Sequence, residues 1–209
     1  MPAENDPKIL NGLRFYPARL DGAAQRALVD AVLALEPQAP FYTPRLPRTG
    51  APMSVAMTNL GPLGWVTDQA GGYRYQATHP GTGTHWPPIP AALLDLWADL
   101  AGYAAPPEAC LVNFYGAGAR MSLHVDADEA AKDAPVLSVS LGDTALFRVG
   151  GPKRSDPTRS FRLTSGDVVV LSGASRHCFH GVDRVMAGTS RLVPGGGRIN
   201  LTLRRVTAP

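Results

Sequence analysis

Seven residues near the end of the chain, Arg198-Ile199-Asn200-Leu201-Thr202-Leu203-Arg204, alternate strictly between polar and aliphatic side chains. Alternation with period two marks a β-strand, so four polar groups share one face and three aliphatics the other. Such a strand either lies at a solvated edge or buries two guanidinium groups, which is costly unless they are paired. An upstream pattern favours burial. In Ser122-Leu123-His124-Val125-Asp126 a histidine and a carboxylate stand one residue apart and so share a strand face. A further histidine follows in Arg176-His177-Cys178-Phe179-His180-Gly181. Positions 177 and 180 point to opposite strand faces, so one of the two completes the set. Two His and one carboxylate form the facial set of non-haem Fe(II) oxygenases, which leaves positions open for other ligands. With that set present, Arg198 and Arg204 suit the two ends of a small dicarboxylate. Their Cα atoms would stand roughly 20 Å apart, and both forks can lean inward. A 2-oxoglutarate site is the expectation.

The chain has 209 residues and a net charge of +3, which fits one domain with a sizeable core and permits nucleic-acid binding without demanding it. No apolar run reaches transmembrane length, and the opening Met1-Pro2-Ala3-Glu4-Asn5-Asp6 lacks the charged and apolar regions of a leader. Cys110 and Cys178 carry neither C-x-x-C spacing nor a disulfide framework. A cytoplasmic monomer away from membranes is expected. No strong positive stripe is visible along the sequence.

Residues 1–36 read as an N-terminal extension and packing helix. A short strand Leu13-Arg14-Phe15-Tyr16 precedes a helix capped by Asp21 and running to about Leu35, with Leu28, Ala31, Val32 and Leu35 on one face. Residues 37–90 are punctuated by Pro and Gly with scattered aromatics, a composition suited to hairpins and loops over a scaffold. Met57, Trp65 and Tyr73 are candidates for gripping a flat base, although any single aromatic there could equally be satellite core. Arg45 and Arg48 could meet phosphates, and His79 and His85 read as surface or loop histidines. Residues 91–209 form the catalytic core: a helix to about Tyr103 with Leu93, Leu94, Trp97, Leu100 and Ala101 inward, then eight short strands. These fall near 109–115, 120–125, 136–142, 144–149, 160–164, 167–171, 178–182 and 198–206. The predicted class is mainly β with flanking helices (α+β), a double-stranded β-helix or cupin-like jelly roll. That fold hosts many functions and proves none.

From Met53 to Arg204, about three quarters of the chain, the sequence resembles the bacterial AlkB family of Fe(II)/2-oxoglutarate-dependent nucleic-acid demethylases. The matching blocks include Met53 to Asn59, Leu63-Gly64-Trp65, Asn113-Phe114-Tyr115, Ser122 to Glu129, Ser138 to Gly142, Gly166 to Val170, Phe179-His180-Gly181 and Arg198 to Arg204. The resemblance implies that 37–90 is a nucleotide-recognition lid, and that His180 joins His124 and Asp126 as metal ligand. It implies that Asn113, Tyr115, Arg198, Asn200 and Arg204 hold 2-oxoglutarate, Arg198 at the distal carboxylate and Arg204 near the keto-acid end. Asp128 would face the damaged base with Glu129 beside it, although both could be exposed loop acids. Arg154 would contact the substrate and could hold a phosphate. Two departures bear on pocket shape: Leu171 stands where the family pattern has a large tryptophan, and Gly71-Gly72 adds a residue before Tyr73.

The implied function is oxidative demethylation of 1-methyladenine- or 3-methylcytosine-type bases in DNA, single strands favoured, with RNA as a second polymer. Fe(II), 2-oxoglutarate and O2 would be consumed or required, and formaldehyde, succinate and CO2 released. Because ligand imidazoles must be neutral, activity is expected to fall in mild acid. The rivals are the same iron centre acting on a protein or small molecule, and a non-catalytic damaged-base binding module. A zinc hydrolase would leave the arginine pair without a role.

Overall fold

The computed structural model describes residues 7–10 and 12–208, so the reading of the first six residues lies outside the described residues. First in order come β1 (Lys8–Leu10), β2 (Leu13–Tyr16), α1 (Gly22–Leu35), β3 (Ala56–Leu60), β4 (Gly64–Asp68), β5 (Gly72–Gln76) and α2 (Ala91–Leu100). Eight strands follow: β6 (Ala109–Tyr115), β7 (Met121–His124), β8 (Val136–Gly142), β9 (Thr144–Val149), β10 (Arg159–Leu163), β11 (Val168–Leu171), β12 (His180–Met186) and β13 (Arg198–Arg204). These are the eight read from the sequence, with shifts at their ends. They divide four and four, β11-β8-β13-β6 against β10-β9-β12-β7, as a jelly roll requires. The first sheet is widened to seven strands by β2 and β1 at one edge and β3 at the other. Thus β3, drawn from the segment expected to lie over the scaffold, is built into it.

Period-two alternation explains how the layers stack. One face of the larger sheet, including Val112, Leu137, Val139, Val170, Ile199, Leu201 and Leu203, packs on Leu28, Val29 and Val32 of α1 and Leu93, Leu96, Trp97 and Leu100 of α2. The opposite face, with Leu111, Tyr115, Val136, Val169 and Leu171, meets Ala145, Phe147, Val149, Leu163 and Val182 of the smaller sheet. β13 sits in the middle of the larger sheet, paired with β6 and β8 and buried along its whole length. Its aliphatics face the helices and its polar side chains enter the space between the sheets. The solvated-edge alternative is thereby excluded.

The Asp21 carboxylate accepts hydrogen bonds from the backbone N–H of Ala23 and Ala24 and caps α1 as expected. On α2 the inward stripe differs from the expected one: Leu96 is buried, while Leu94 is 38% exposed. The helical period places 93, 96, 97 and 100 together and leaves 94 outside. The β4–β5 hairpin forms a separate two-stranded sheet beside a small core of Ala39, Val66 and Trp86. His79, expected in a loop, is buried: Nε2 pairs with the carbonyl of Pro40, and Nδ1 accepts from the N–H of Gly81 and Thr82. It ties the turn at residues 79–82 to Pro40. Among the described residues, no helix is long and apolar enough to cross a membrane.

Candidate active site

β7 and β12 are antiparallel neighbours, with His124 directly opposite His180. That register sets the two imidazoles side by side, 4.6 Å between centroids. Asp126 follows just beyond the end of β7, and one donor atom from each residue falls within 4.8 Å of the others. Nε2 of His124 lies 3.6 Å from one Asp126 oxygen, and Nε2 of His180 lies 3.5 Å from the other. The Nδ1 atoms face the carbonyls of Ser122 and Cys178 at 2.9 and 3.1 Å. Carbonyls only accept, so each ring keeps its proton on Nδ1 and turns an Nε2 lone pair toward Asp126. Oδ2 of Asp126 is buried with no hydrogen-bond partner among the described residues. Three lone-pair donors converging without a proton between them fit a cation, and the donor set suits iron(II). His177 is exposed and takes no part.

A glycine after the ligand has a steric cause. A Cβ on Gly181 would stand 2.5 Å from the carbonyl oxygen of Met121, because β12 and β7 approach closely beside the ligand pair. Electrostatics suits the metal as well. Burial alone would raise the Asp126 pKa, but Arg204, then His180 and His124, hold the carboxyl well below the usual range. Burial pushes the His180 pKa down to about 4. The mild-acid loss expected from the sequence is therefore not a property of His180, which stays neutral there.

All five expected 2-oxoglutarate residues line one inner cavity between the sheets, together with the three candidate metal ligands. Arg198 is 1% exposed, yet its guanidinium donates only to the Ser140 hydroxyl at 3.1 Å, and Nε and Nη1 have no partner among the described residues. Burial lowers its pKa to about 10, which still leaves it cationic at neutral pH. A buried cation with free N–H groups fits a carboxylate, and 2-oxoglutarate would supply one. Arg204 is different: Nη2 donates to Asp126 at 2.7 Å, and Nη1 donates to Glu129 at 2.9 Å and to the Tyr75 hydroxyl at 3.2 Å. The two arginines are thus unequal, one largely free and one tied to the Asp126 carboxylate. The Asn200 amide is engaged with Ser138 and Val139, whereas Oδ1 of Asn113 has no partner among the described residues.

An outer cavity of about 340 Å³ reaches His124 and Asp126 and is lined by Met57, Trp65, Tyr73 and Asp128, four of the six expected substrate residues. The rings of Trp65 and Tyr73 stack at 5.6 Å with 22° between planes. The Trp65 indole donates to Asp128 at 2.7 Å. Two residues fall elsewhere. Glu129, expected beside Asp128 as a base contact or loop acid, is 1% exposed and ion-paired with Arg176 and Arg204. Two buried guanidinium groups need that counter-charge. Arg154 is exposed, donates to the Leu123 carbonyl at 2.8 Å and lines neither cavity.

Sequence reasoning missed Arg176 and Tyr75. Arg176 donates to the backbone carbonyl of Asp126 at 2.7 Å and to that of Ala134, fixing the ligand loop. Nothing in its sequence neighbourhood pointed to this. Tyr75 donates to Glu129, and it lies two residues from Tyr73 on the same strand face, a signal that was available.

Over residues 12–204 the chain matches the model of the 2OG-Fe(II) oxygenase superfamily. It is 61% identical to an alpha-ketoglutarate-dependent dioxygenase AlkB homolog of Caulobacter vibrioides, covering 94% of this chain and 89% of that protein. This chain is an AlkB-family 2OG-Fe(II) oxygenase. The AlkB protein of Escherichia coli is 43% identical over 87% of this chain and 85% of its own. A solved structure titled "The structure of OsALKBH1" superposes with a TM-score of 0.79 at 30% identity, covering 95% of this chain and 98% of that one. As an AlkB-family dioxygenase the chain uses Fe(II), 2-oxoglutarate and O2, and His124, Asp126 and His180 are the group that could hold the iron.

Proposed function

We propose that this dioxygenase reverses alkylation damage by removing N-methyl groups from bases of the 1-methyladenine and 3-methylcytosine type, in DNA and in RNA. The observation that carries the reading is the outer cavity, where an aromatic pair and a carboxylate stand at the edge of a metal site. Trp65 and Tyr73 offer π-faces to a flat base taken out of its stack, and Asp128 offers negative charge to a base made cationic by methylation. Relatives matched over a shorter span bear fitting names. One is the DNA N(6)-methyladenine demethylase ALKBH1A of Arabidopsis thaliana, 41% identical over 48% of this chain and 31% of its own. Another is the tRNA demethylase abh1 of Schizosaccharomyces pombe, 37% identical over 40% of this chain and 28% of its own.

In this reading the parts of residues 37–90 outside β3 serve as the lid, and Asn113, Tyr115, Arg198, Asn200 and Arg204 bind the cosubstrate. Bound Fe(II), with 2-oxoglutarate and O2, supplies the oxidation of the methyl carbon. The hydroxylated methyl leaves as formaldehyde, and 2-oxoglutarate leaves as succinate and CO2. Arg204 and Arg176 keep Asp126 in place, and Asp128 orients the base edge. A single strand is the preferred substrate, since an unpaired base costs least to extrude. The protein acts as a cytoplasmic monomer.

The test is direct. The protein is incubated with Fe(II), 2-oxoglutarate and an oligonucleotide carrying one 1-methyladenine or 3-methylcytosine, and the product is weighed, with His124→Ala alongside. Loss of one methylene mass, dependent on 2-oxoglutarate and absent in the variant, is expected. Succinate without a mass change would keep the dioxygenase and remove this substrate class.

A further inference from the structure

The positive charge of the molecule is concentrated on its smaller sheet. Residues 144–163 and 180–192, which carry β9, β10, β12 and their connections, contain Arg148, Lys153, Arg154, Arg159, Arg162, Arg184 and Arg191 against Asp156 and Asp183. That is seven cations against two anions, +5, in a chain whose total is +3, so the remainder is −2.

Strand register assembles these residues. Arg162 of β10 and Arg184 of β12 both pair with Leu146 of β9, one from each side. Their backbones therefore stand two strand spacings apart, roughly 10 Å. Arg148 lies two residues along β9 from Leu146, on the same face, about 7 Å away. The inward residues of these strands, among them Ala145, Phe147, Val149, Leu163 and Val182, are buried against the larger sheet. Arg148, Arg162 and Arg184 consequently point outward, and Arg162 and Arg184 are exposed.

Little on this face neutralises them. Asp183 pairs with Arg148, and Asp156 accepts the backbone N–H of Lys153 in its own turn. Among the described residues, Arg154, Arg159, Arg162, Arg184 and Arg191 form no ion pair. The cations also begin where the chemistry is. Val149 pairs with His180, so the β9–β10 connection with Lys153 and Arg154 lies at the metal end of the sheet, and Arg154 grips the carbonyl next to His124.

We propose that this outer face is a phosphodiester-binding track for the nucleic acid whose methylated base enters the outer cavity. The inference rests on the demethylase reading and adds to it a contact several nucleotides from the reacting base. A polyanion with one charge per 3.4 Å of strand can meet cations spaced at 7 to 10 Å along such a face. An anionic membrane is the poorer partner, because the exposed large hydrophobics (Ile9, Leu46, Tyr73 and Leu94) all lie outside these segments.

The test pairs Arg162→Gln/Arg184→Gln with a control, Lys8→Gln/Arg26→Gln, that removes the same charge from β1 and α1. Both sets are exposed, and matching thermal melts confirm folding. Binding of a methylated single-stranded 20-mer is followed by fluorescence anisotropy against salt, and turnover is measured on a methylated trinucleotide. The track variant is expected to lose about 1.4 from the log–log salt slope, and roughly 20-fold in affinity at about 0.1 M salt. Trinucleotide turnover should stay at the wild-type rate, and the control should keep the wild-type slope. An unchanged slope in the track variant, or an equal fall in the control, overturns the track, as does a loss of binding to phosphatidylserine vesicles with none to the 20-mer. If the wild-type protein fails to demethylate the trinucleotide and the 20-mer alike, it is the demethylase reading that falls. A 20-mer slope that responds as expected would then still report the track.

Discussion

At the scale of single residues the site is defined by groups that lack what they need. Among the described residues, two N–H-bearing nitrogens of Arg198 have no partner while the side chain is almost wholly buried, a condition that a carboxylate relieves. Arg198→Gln is therefore expected to raise KM for 2-oxoglutarate about 100-fold, in line with losing one partner of a buried charge pair. The same variant should leave the cosubstrate-free protein at least as stable as before, because an unpaired buried cation is costly. Steady-state kinetics and denaturant melts check both halves. His180 makes the second residue-scale prediction. Its folded pKa of about 4 lies below the ordinary value of 6.5, because burial disfavours the charged ring. The unfolded chain then binds the extra proton first, so stability is lost as pH falls from about 6.5 toward 4 and is fully present above that window. For the metal-free protein the loss is on the order of 3 kcal/mol. Urea midpoints at pH 7 and pH 4.5 should show it, and His180→Gln should flatten the difference.

At the scale of elements, much was legible because alternation is a strong signal. The strand face of Arg198, Asn200, Thr202 and Arg204 was legible from period two alone, whereas β7 ends at His124 and Asp126 reaches the site from the loop beyond it rather than from the same strand face. What could not be read were groups placed by irregular backbone. Arg176 follows a short 3-10 turn, Gly173–Ser175, and no periodicity predicts that its guanidinium returns to the ligand loop. Glu129 was misjudged for a related reason: its neighbours in sequence are loop residues, while its neighbours in space are two buried arginines. The β4–β5 hairpin is joined to that cluster through Tyr75, whose hydroxyl donates to Glu129 and accepts from Arg204. Tyr75→Phe removes the link but leaves Arg204 and Glu129 paired with each other. We expect a stability cost of about 1 kcal/mol. KM for a methylated oligonucleotide should rise roughly tenfold, with 1.4 kcal/mol per factor of ten, while KM for 2-oxoglutarate stays near its original value. Equal effects on both would place Tyr75 in the cosubstrate site instead.

At the scale of the whole molecule, the two cavities share walls, and His124 and His180 of the smaller sheet line one cavity with Arg198 and Arg204 of the larger, so binding and folding are coupled. Fe(II) alone at about 100 times its dissociation constant should stabilise the fold by about 2.7 kcal/mol. For a chain of this size that is a rise of roughly 5–10 °C in Tm. A chelator should reverse it, and scanning calorimetry under anaerobic conditions measures both directions. Composition gave no hint of the basic face, because its cations are scattered over β9, β10, β12 and their connections and meet only when the sheet forms. Strand order holds a further consequence. β13 is the last strand in sequence, yet it fills the slot between β6 and β8 at the centre of the larger sheet. Until residues 198–204 have left the ribosome, two hydrogen-bonding edges stand open with nothing between them. Synthesis must therefore reach β13 before the barrel can close, and a chain cut short of it yields a sticky, unpaired sheet rather than a weaker enzyme.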